Sequence, residues 1–139
     1  MRFWDSSAVI PLLVQEEQTS RRKAQLRDDP RMTVWWACRL ECSSALNRLR
    51  RDGSLDEGGL VRALGAMEIL ADSWYEVLPT SELRARAMRL LRVHPLRAAD
   101  SQQLSAALIA TSENPSMLPF LTADERLLEA AQKEGFAVD

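Results

Sequence analysis

The sequence has few of the residues on which several kinds of functional site depend. It contains one histidine, His94, and two cysteines, Cys38 and Cys42, whose spacing on a predicted helix makes a disulfide geometrically poor. A zinc site needs more ligands than one distant histidine supplies. We therefore expect Cys38 and Cys42 to be free thiols that face the core, and His94, which precedes Pro95, to lie in a loop.

Other absences narrow the class of protein. No apolar run approaches the roughly 18–20 residues that a membrane span requires, and no basic region with a long apolar segment opens the chain. We therefore expect no membrane contact and a cytoplasmic location. The glycine pair in "DEGGL" begins a helix and does not follow a strand, unlike the phosphate loop of a nucleotide-binding Rossmann domain. The only lysines, Lys23 and Lys133, lie in predicted helices, so the strand-end lysine of a response-receiver domain is missing.

The composition of residues 1–139 is typical of one compact domain. Hydrophobic residues make up 46% and charged residues 27%, and the net charge of −2 does not suit a generic polyanion binder. All but two of the 18 basic residues are arginines, whose forked guanidinium groups suit phosphate and carboxylate. The basic stretches at residues 48–51 and 84–92 are compatible with solvated helix faces and with RNA contact, and the sequence leaves both open.

Short apolar runs that predict strands alternate with longer helical patterns. The strand candidates are "MRFW", "MTVWW", "WYEVLP", "MLPFLTA" and a final "FAV". A helical pattern follows each of the first four, and Pro11 should kink or divide the first helix. Such alternation implies parallel pairing through right-handed crossovers. We therefore predict an α/β fold, a three-layer α/β/α sandwich with a small parallel sheet.

Acidic residues stand at two predicted strand ends. Asp5 follows "RFW" and Asp124 follows "PFLTA". Ligands of open parallel sheets bind outside the carboxyl ends of the strands. If the first strand is central and the "PFLT" strand lies beside it, both carboxylates enter one crevice.

Two further acids lie on or beside apolar helix stripes. Glu41 borders the stripe of Cys38 and Cys42, and Asp100 stands one turn before Leu104 on a core-facing side. Burying a carboxylate is costly unless it is paired or binds a cation. Clustered carboxylates with few lysines nearby are the ligands that hard divalent cations prefer.

Helix capping offers a structural explanation for three of these acids. Asp5 or Ser6 suits an N-cap, and "TADE" at residues 122–125 and "DSQQ" at residues 100–103 match capping boxes that begin at Thr122 and Asp100. Capping leaves Glu41, in mid-helix, unexplained. The residues alone leave a Mg²⁺ or Mn²⁺ site and simple capping both open.

Four segments, in chain order, resemble a known family. They are "FWDSSAVIPLL", "LECSSALNRL", "LRAADSQQLSAAL" and "FLTADERLLEAAQKEGF", and together they resemble a PIN domain of the VapC type, found in toxins of bacterial toxin–antitoxin pairs. The resemblance implies a PIN-like fold with the first strand next to the fourth. Ser101 stands where the family commonly has alanine, and the "QQ" at residues 102–103 replaces a more usual apolar-polar pair. We expect neither departure to affect the acids.

The resemblance also implies an activity. It predicts a Mg²⁺-dependent endoribonuclease, in which Mn²⁺ can substitute, with Asp5, Glu41, Asp100 and Asp124 as metal-binding catalytic residues and Ser6 and Thr122 as polar supports. A lone His94 offers no histidine pair for metal-free RNA cleavage. The implied partners are an RNA substrate, a cognate antitoxin and a second copy of the chain in a homodimer. The alternative is a catalytically silent PIN-like module that binds RNA or protein.

Overall fold

The computed structural model describes residues 1–139 and alternates strands with helices. In chain order the elements are β1 (Arg2–Trp4), α1 (Ser6–Leu13), α2 (Thr19–Asp28), β2 (Met32–Trp35), α3 (Cys38–Arg51), α4 (Glu57–Ala71), β3 (Tyr75–Val77), α5 (Ser81–Val93), α6 (Ala98–Ala110), β4 (Phe120–Leu121) and α7 (Glu125–Lys133), with a single 3₁₀ turn at Pro115–Met117.

One local prediction was wrong and another was wrong in part. The "FAV" segment forms no strand: the chain turns at Gly135, which has a positive φ, and Val138 makes only an isolated bridge to Phe120. Pro11 does not divide α1, which continues through it to Leu13. A proline removes one backbone hydrogen bond, and this helix continues past that loss.

The four strands form one parallel sheet in the order β3-β2-β1-β4. Phe3 of β1 is in register with Thr33 of β2 on one side and with Phe120 of β4 on the other. The prediction that the first strand is central and lies beside the fourth is therefore confirmed. The carboxyl ends of β1 and β4 meet at the same edge of the sheet.

The side chains of each strand alternate between two helical layers. Phe3 and Phe120 pack into a core with α5, α6 and α7, whereas Trp4 and Leu121 pack into a second core with α1, α3 and α4. A parallel sheet covered on both faces needs apolar residues on both sides of its strands, as β1, β2 and β4 have; the edge strand β3 contributes only Val77 to a core. The predicted three-layer α/β/α sandwich is confirmed.

The two cysteines and the single histidine are buried in this fold. Cys38 and Cys42 are both free and buried, as predicted, with their sulfur atoms 3.9 Å apart. His94 lies just beyond α5, where it is buried and hydrogen-bonded to Glu134. None of the helices combines the length and the apolar character needed to cross a membrane.

Candidate functional site

A cavity of about 900 Å³ opens at the carboxyl edge of the sheet, beside β1 and β4. Three of the predicted acids line it directly: Glu41 from α3, Asp100 from α6 and Asp124 from the start of α7. Asp5 does not line the cavity: it is only 4% exposed and directly precedes the lining residues Ser6 and Ser7. The sheet topology therefore brings three of the acids to one cavity and the fourth, Asp5, close enough to act on the pKa of Glu41, although the four are up to 119 positions apart in the chain.

Asp5 is held by hydroxyl groups that bind mainly one of its carboxylate oxygens. Oδ2 accepts hydrogen bonds from the Ser7 backbone N–H at 3.2 Å, from the Ser7 hydroxyl and from the Thr122 hydroxyl at 2.9 Å. Oδ1 has only a 3.4 Å contact with the Ser6 hydroxyl. Burial raises the pKa of Asp5, and the hydrogen bonds from Ser7 and Thr122 oppose that shift. Asp5 is thus the N-cap of α1 and also keeps one oxygen nearly unpaired.

Glu41 lies in the first turn of α3 and not in mid-helix as predicted, because α3 begins only at Cys38; it is half-buried and has two neutral hydrogen-bond donors. The Ser6 hydroxyl donates to Oε2 at 2.9 Å, and the Gln103 amide reaches Oε1 at 3.3 Å and Oε2 at 3.2 Å. Burial raises the pKa of Glu41, and the charges of Asp5 and Asp100 add to that increase. No arginine or lysine forms an ion pair with this carboxylate.

Asp100 and Asp124 both occupy first-turn positions, but not those that the capping patterns predicted. The N-cap of α6 is Arg97, whose backbone N–H lies 3.4 Å from Asp100 Oδ2, so Asp100 is the third helical residue and not the cap. The N-cap of α7 is Asp124, which accepts from the Leu127 N–H at 2.8 Å. Thr122 is not the cap, because α7 begins only at Glu125 and the Thr122 hydroxyl accepts instead from the Asp124 N–H at 3.0 Å, before the helix. Burial raises the pKa of Asp100, and the charge of Asp124 raises it further.

These carboxylates repel one another and none forms an ion pair with an arginine or lysine, although the charges of Arg97 and Arg126 lower the pKa of Asp100 somewhat. Asp5, Glu41 and Asp100 each have a raised pKa in which burial is the largest cause and another acid of the group contributes. The side chains are spread around the cavity, and no three of them lie together in a group that could hold a metal ion. An open set of oxygen donors fits Mg²⁺, which commonly uses one or two carboxylates and keeps several waters. The nearly unpaired Oδ1 of Asp5 is consistent with such a ligand set.

Three arginines stand at the rim of the same cavity. Arg48 of α3, Arg97 before α6 and Arg126 of α7 line it, are exposed and form no ion pair with any carboxylate. A guanidinium group in this state is free to bind the phosphate oxygens of a ligand. The cavity therefore combines an acidic floor with a basic rim.

Sequence reasoning missed three residues that support the acids. Ser7 binds Asp5 through both its N–H and its hydroxyl, and a serine two positions after a helix-capping aspartate is the available signal. Gln103 contacts Glu41, so the expectation that the "QQ" departure does not affect the acids was wrong. The contact joins residues 62 positions apart, which no local pattern reveals.

Arg22 is the third, a buried arginine behind the site. It is 1% exposed, and its guanidinium donates to the backbone carbonyl oxygens of Thr122 at 2.8 Å and of Asp139 at 3.1 Å. Burial lowers the pKa of Arg22 to about 10, and the charge of Asp5 partly offsets that effect. Arg22 fixes the backbone of Thr122, whose hydroxyl in turn binds Asp5.

Comparisons with known proteins address the fold and not the chemistry. No family model and no curated protein matches the chain. A solved structure, PAE2754 from Pyrobaculum aerophilum, is similar over 93% of this chain and 83% of its own length, with a TM-score of 0.66 and 16% sequence identity. At that identity the likeness supports the α/β/α architecture alone.

Proposed function

We propose that the protein is a divalent-metal-dependent endoribonuclease that hydrolyses RNA phosphodiester bonds. The observation that supports the proposal best is the gathering of Glu41, Asp100 and Asp124 on one cavity, with Asp5 buried beside it and none of the four in an ion pair. Acids that had only a capping role would not need to meet at one place. The rim arginines supply the second requirement, a surface for a polyanionic substrate.

In this proposal the acids divide between ion binding and water positioning. Asp5, Glu41 and Asp100 would hold Mg²⁺ or Mn²⁺, and Asp124 would hold a second ion or orient the attacking water. The ion, when bound, lowers the pKa of a water molecule and offsets negative charge at phosphorus. Ser7 and Thr122 fix the Asp5 carboxylate in one orientation. Arg48, Arg97 and Arg126 would hold the RNA backbone without reading its sequence.

The finer assignment, a VapC-type toxin that acts as a homodimer and is restrained by an antitoxin, rests on the sequence resemblance. The apolar "WW" and "MEIL" segments give it weak support, because Trp36 and Ile69 are exposed whereas Trp35 and Met67 belong to the cores. We expect light scattering to report a dimer at micromolar concentrations. A monomer at every concentration tested would contradict the homodimer.

The activity is tested by incubating the purified chain with total RNA in Mn²⁺ and, separately, in EDTA. We expect mapped internal cleavage in Mn²⁺ only, and its loss in Asp100→Asn. Asp72→Asn is the matched control, because Asp72 is an exposed acid between α4 and β3, at the opposite edge of the sheet. Binding of RNA without any cleavage by the parent would favour the silent module instead. Equal cleavage by parent and Asp100→Asn would reject the proposed site.

A further inference from the structure

The Glu41 carboxylate is held by neutral groups from two other helices. Ser6 at the start of α1 donates to Oε2, and the Gln103 amide of α6 lies across both oxygens. A guanidinium or ammonium group in the same place would compete with an incoming cation for the carboxylate. Neutral donors orient the carboxylate and leave its negative charge in place.

Packing alone does not account for glutamine at position 103. Its side chain is 1% exposed, and its amide nitrogen has no acceptor other than Glu41. Its amide oxygen is buried without a partner. Burying an amide that is only half satisfied costs free energy that an apolar side chain of the same length would avoid. The retained polar group therefore indicates that its contact with Glu41 has a role.

We propose that Gln103 is a positioning residue, which fixes the Glu41 carboxylate in the orientation that binds the divalent ion. This inference rests on the proposed function, since it assigns to Gln103 an effect on the same site. Gln103 reaches the ion only through Glu41. Its removal should thus weaken ion binding while the fold is kept.

The test uses Gln103→Met, which keeps the length and volume of the side chain and removes its donor. Mn²⁺ affinity is measured by paramagnetic resonance of free Mn²⁺, and folding is measured by thermal melts in EDTA. We expect a cooperative melt in EDTA and a Mn²⁺ affinity about 10–100-fold weaker, the range for losing a residue that orients a metal ligand. Gln103→Asn, which withdraws the amide by one methylene, should weaken binding in the same direction.

Gln102→Met is the matched control, because the neighbouring glutamine is partly exposed and makes no hydrogen bond to an acid. Its Mn²⁺ affinity should equal that of the parent. In a Glu41→Gln background, Gln103→Met should change the remaining affinity by no more than about twofold, the scatter expected of independent sites.

The outcomes separate this inference from the proposed function. Failure of the parent to bind Mn²⁺ at all would reject the proposed function. Binding by the parent with unchanged affinity in Gln103→Met and Gln103→Asn would reject the positioning role alone. An undiminished effect of Gln103→Met in the Glu41→Gln background would also reject it, because the effect would not pass through Glu41.

Discussion

The acids Asp28 and Asp29 form ion pairs at the amino edge of the sheet, whereas Asp5 and Glu41 form none at the carboxyl edge. At the amino edge, Asp28 pairs with Arg2, and Asp29 forms a 3.0 Å ion pair with Arg31 that holds the pKa of Asp29 well below its usual range. At the carboxyl edge, Asp5 and Glu41 have only neutral donors, and their pKa values are raised. The chain contains enough arginines to form ion pairs with the acids at both edges of the sheet.

This contrast separates acids that stabilise the fold from acids that the proposed function uses. An acid that already has its cation is satisfied within the fold, and its removal should cost stability. A group of acids without ion pairs destabilises the fold, and under the proposed function it would bind a divalent cation. The four predictions that follow either sharpen this contrast between the edges or remove it, and they run from the largest expected effect to the smallest.

The largest effect is expected when one acid of the carboxyl edge is neutralised. Asp5→Asn and Asp100→Asn should each reduce Mn²⁺-dependent RNA cleavage by about 100-fold or more, the scale for losing a group that stabilises the transition state. Both should melt no lower than the parent in EDTA, because like-charge repulsion is removed. Asp29→Asn, at the amino edge, should keep its activity and melt lower. Full activity in both carboxyl-edge variants would contradict the assignment.

The next effect is stabilisation of the fold by the ion. At a hundred times its dissociation constant, Mn²⁺ should add about 2.7 kcal/mol to the free energy of unfolding. That addition corresponds to a rise of about 5–10 °C in Tm for a domain of this size. Glu41→Gln should melt near or above the parent in EDTA and lose most of the Mn²⁺ shift. The exposed loop variant Glu17→Gln should keep the whole shift, and an undiminished shift in Glu41→Gln would remove Glu41 from the site.

The pH dependence of stability should have opposite signs at the two edges. Because the pKa of Asp100 is raised, the folded protein binds more protons than the unfolded chain above about pH 4. The contribution of Asp100 to the free energy of unfolding therefore falls as the pH rises. In EDTA, the Tm advantage of Asp100→Asn over the parent should therefore be largest near neutral pH and disappear as the pH falls toward about 4.

The lowered pKa of Asp29 reverses this sign. Its stabilising effect is present above the unfolded pKa of about 3.9 and is lost as the pH falls below that value. The Tm deficit of Asp29→Asn should thus persist down to about pH 4 and shrink only below it. Thermal melts of both variants and the parent are measured from acidic to neutral pH. If the Tm difference from the parent changed with pH in the same way for both variants, the contrast between the two edges would be rejected.

The smallest effect concerns the rim arginines. Arg97→Gln or Arg126→Gln should weaken binding of single-stranded RNA in EDTA by a few-fold. Each should also lower the slope of log affinity against log salt by about 0.7, the value for one phosphate contact. Arg62→Gln, on an exposed position of α4 away from the cavity, is the control. An unchanged slope in both rim variants would exclude these arginines from RNA contact.

The sequence was informative where local rules determine the structure. The alternation of strands and helices predicted the sandwich, and the strand-end rule placed Asp5 and Asp124 at one edge. Both capping boxes were placed wrongly. Asp100 is the third residue of α6, whose cap is Arg97, and α7 begins only after Asp124, where the Thr122 hydroxyl accepts from the Asp124 N–H at 3.0 Å while it donates to Asp5. Gln103 was not found, since its partner on α3 becomes a neighbour only after folding.

Anomalous diffraction from crystals grown in Mn²⁺ tests the central claim most directly, because it locates the ion without relying on activity. The carboxyl-edge acids are predicted to give a Mn²⁺ peak coordinated by at least two of Asp5, Glu41, Asp100 and Asp124, with no peak at the paired acids Asp28 and Asp29. A peak at the amino edge, or none in the cavity at a Mn²⁺ concentration that saturates the thermal shift, would contradict the account.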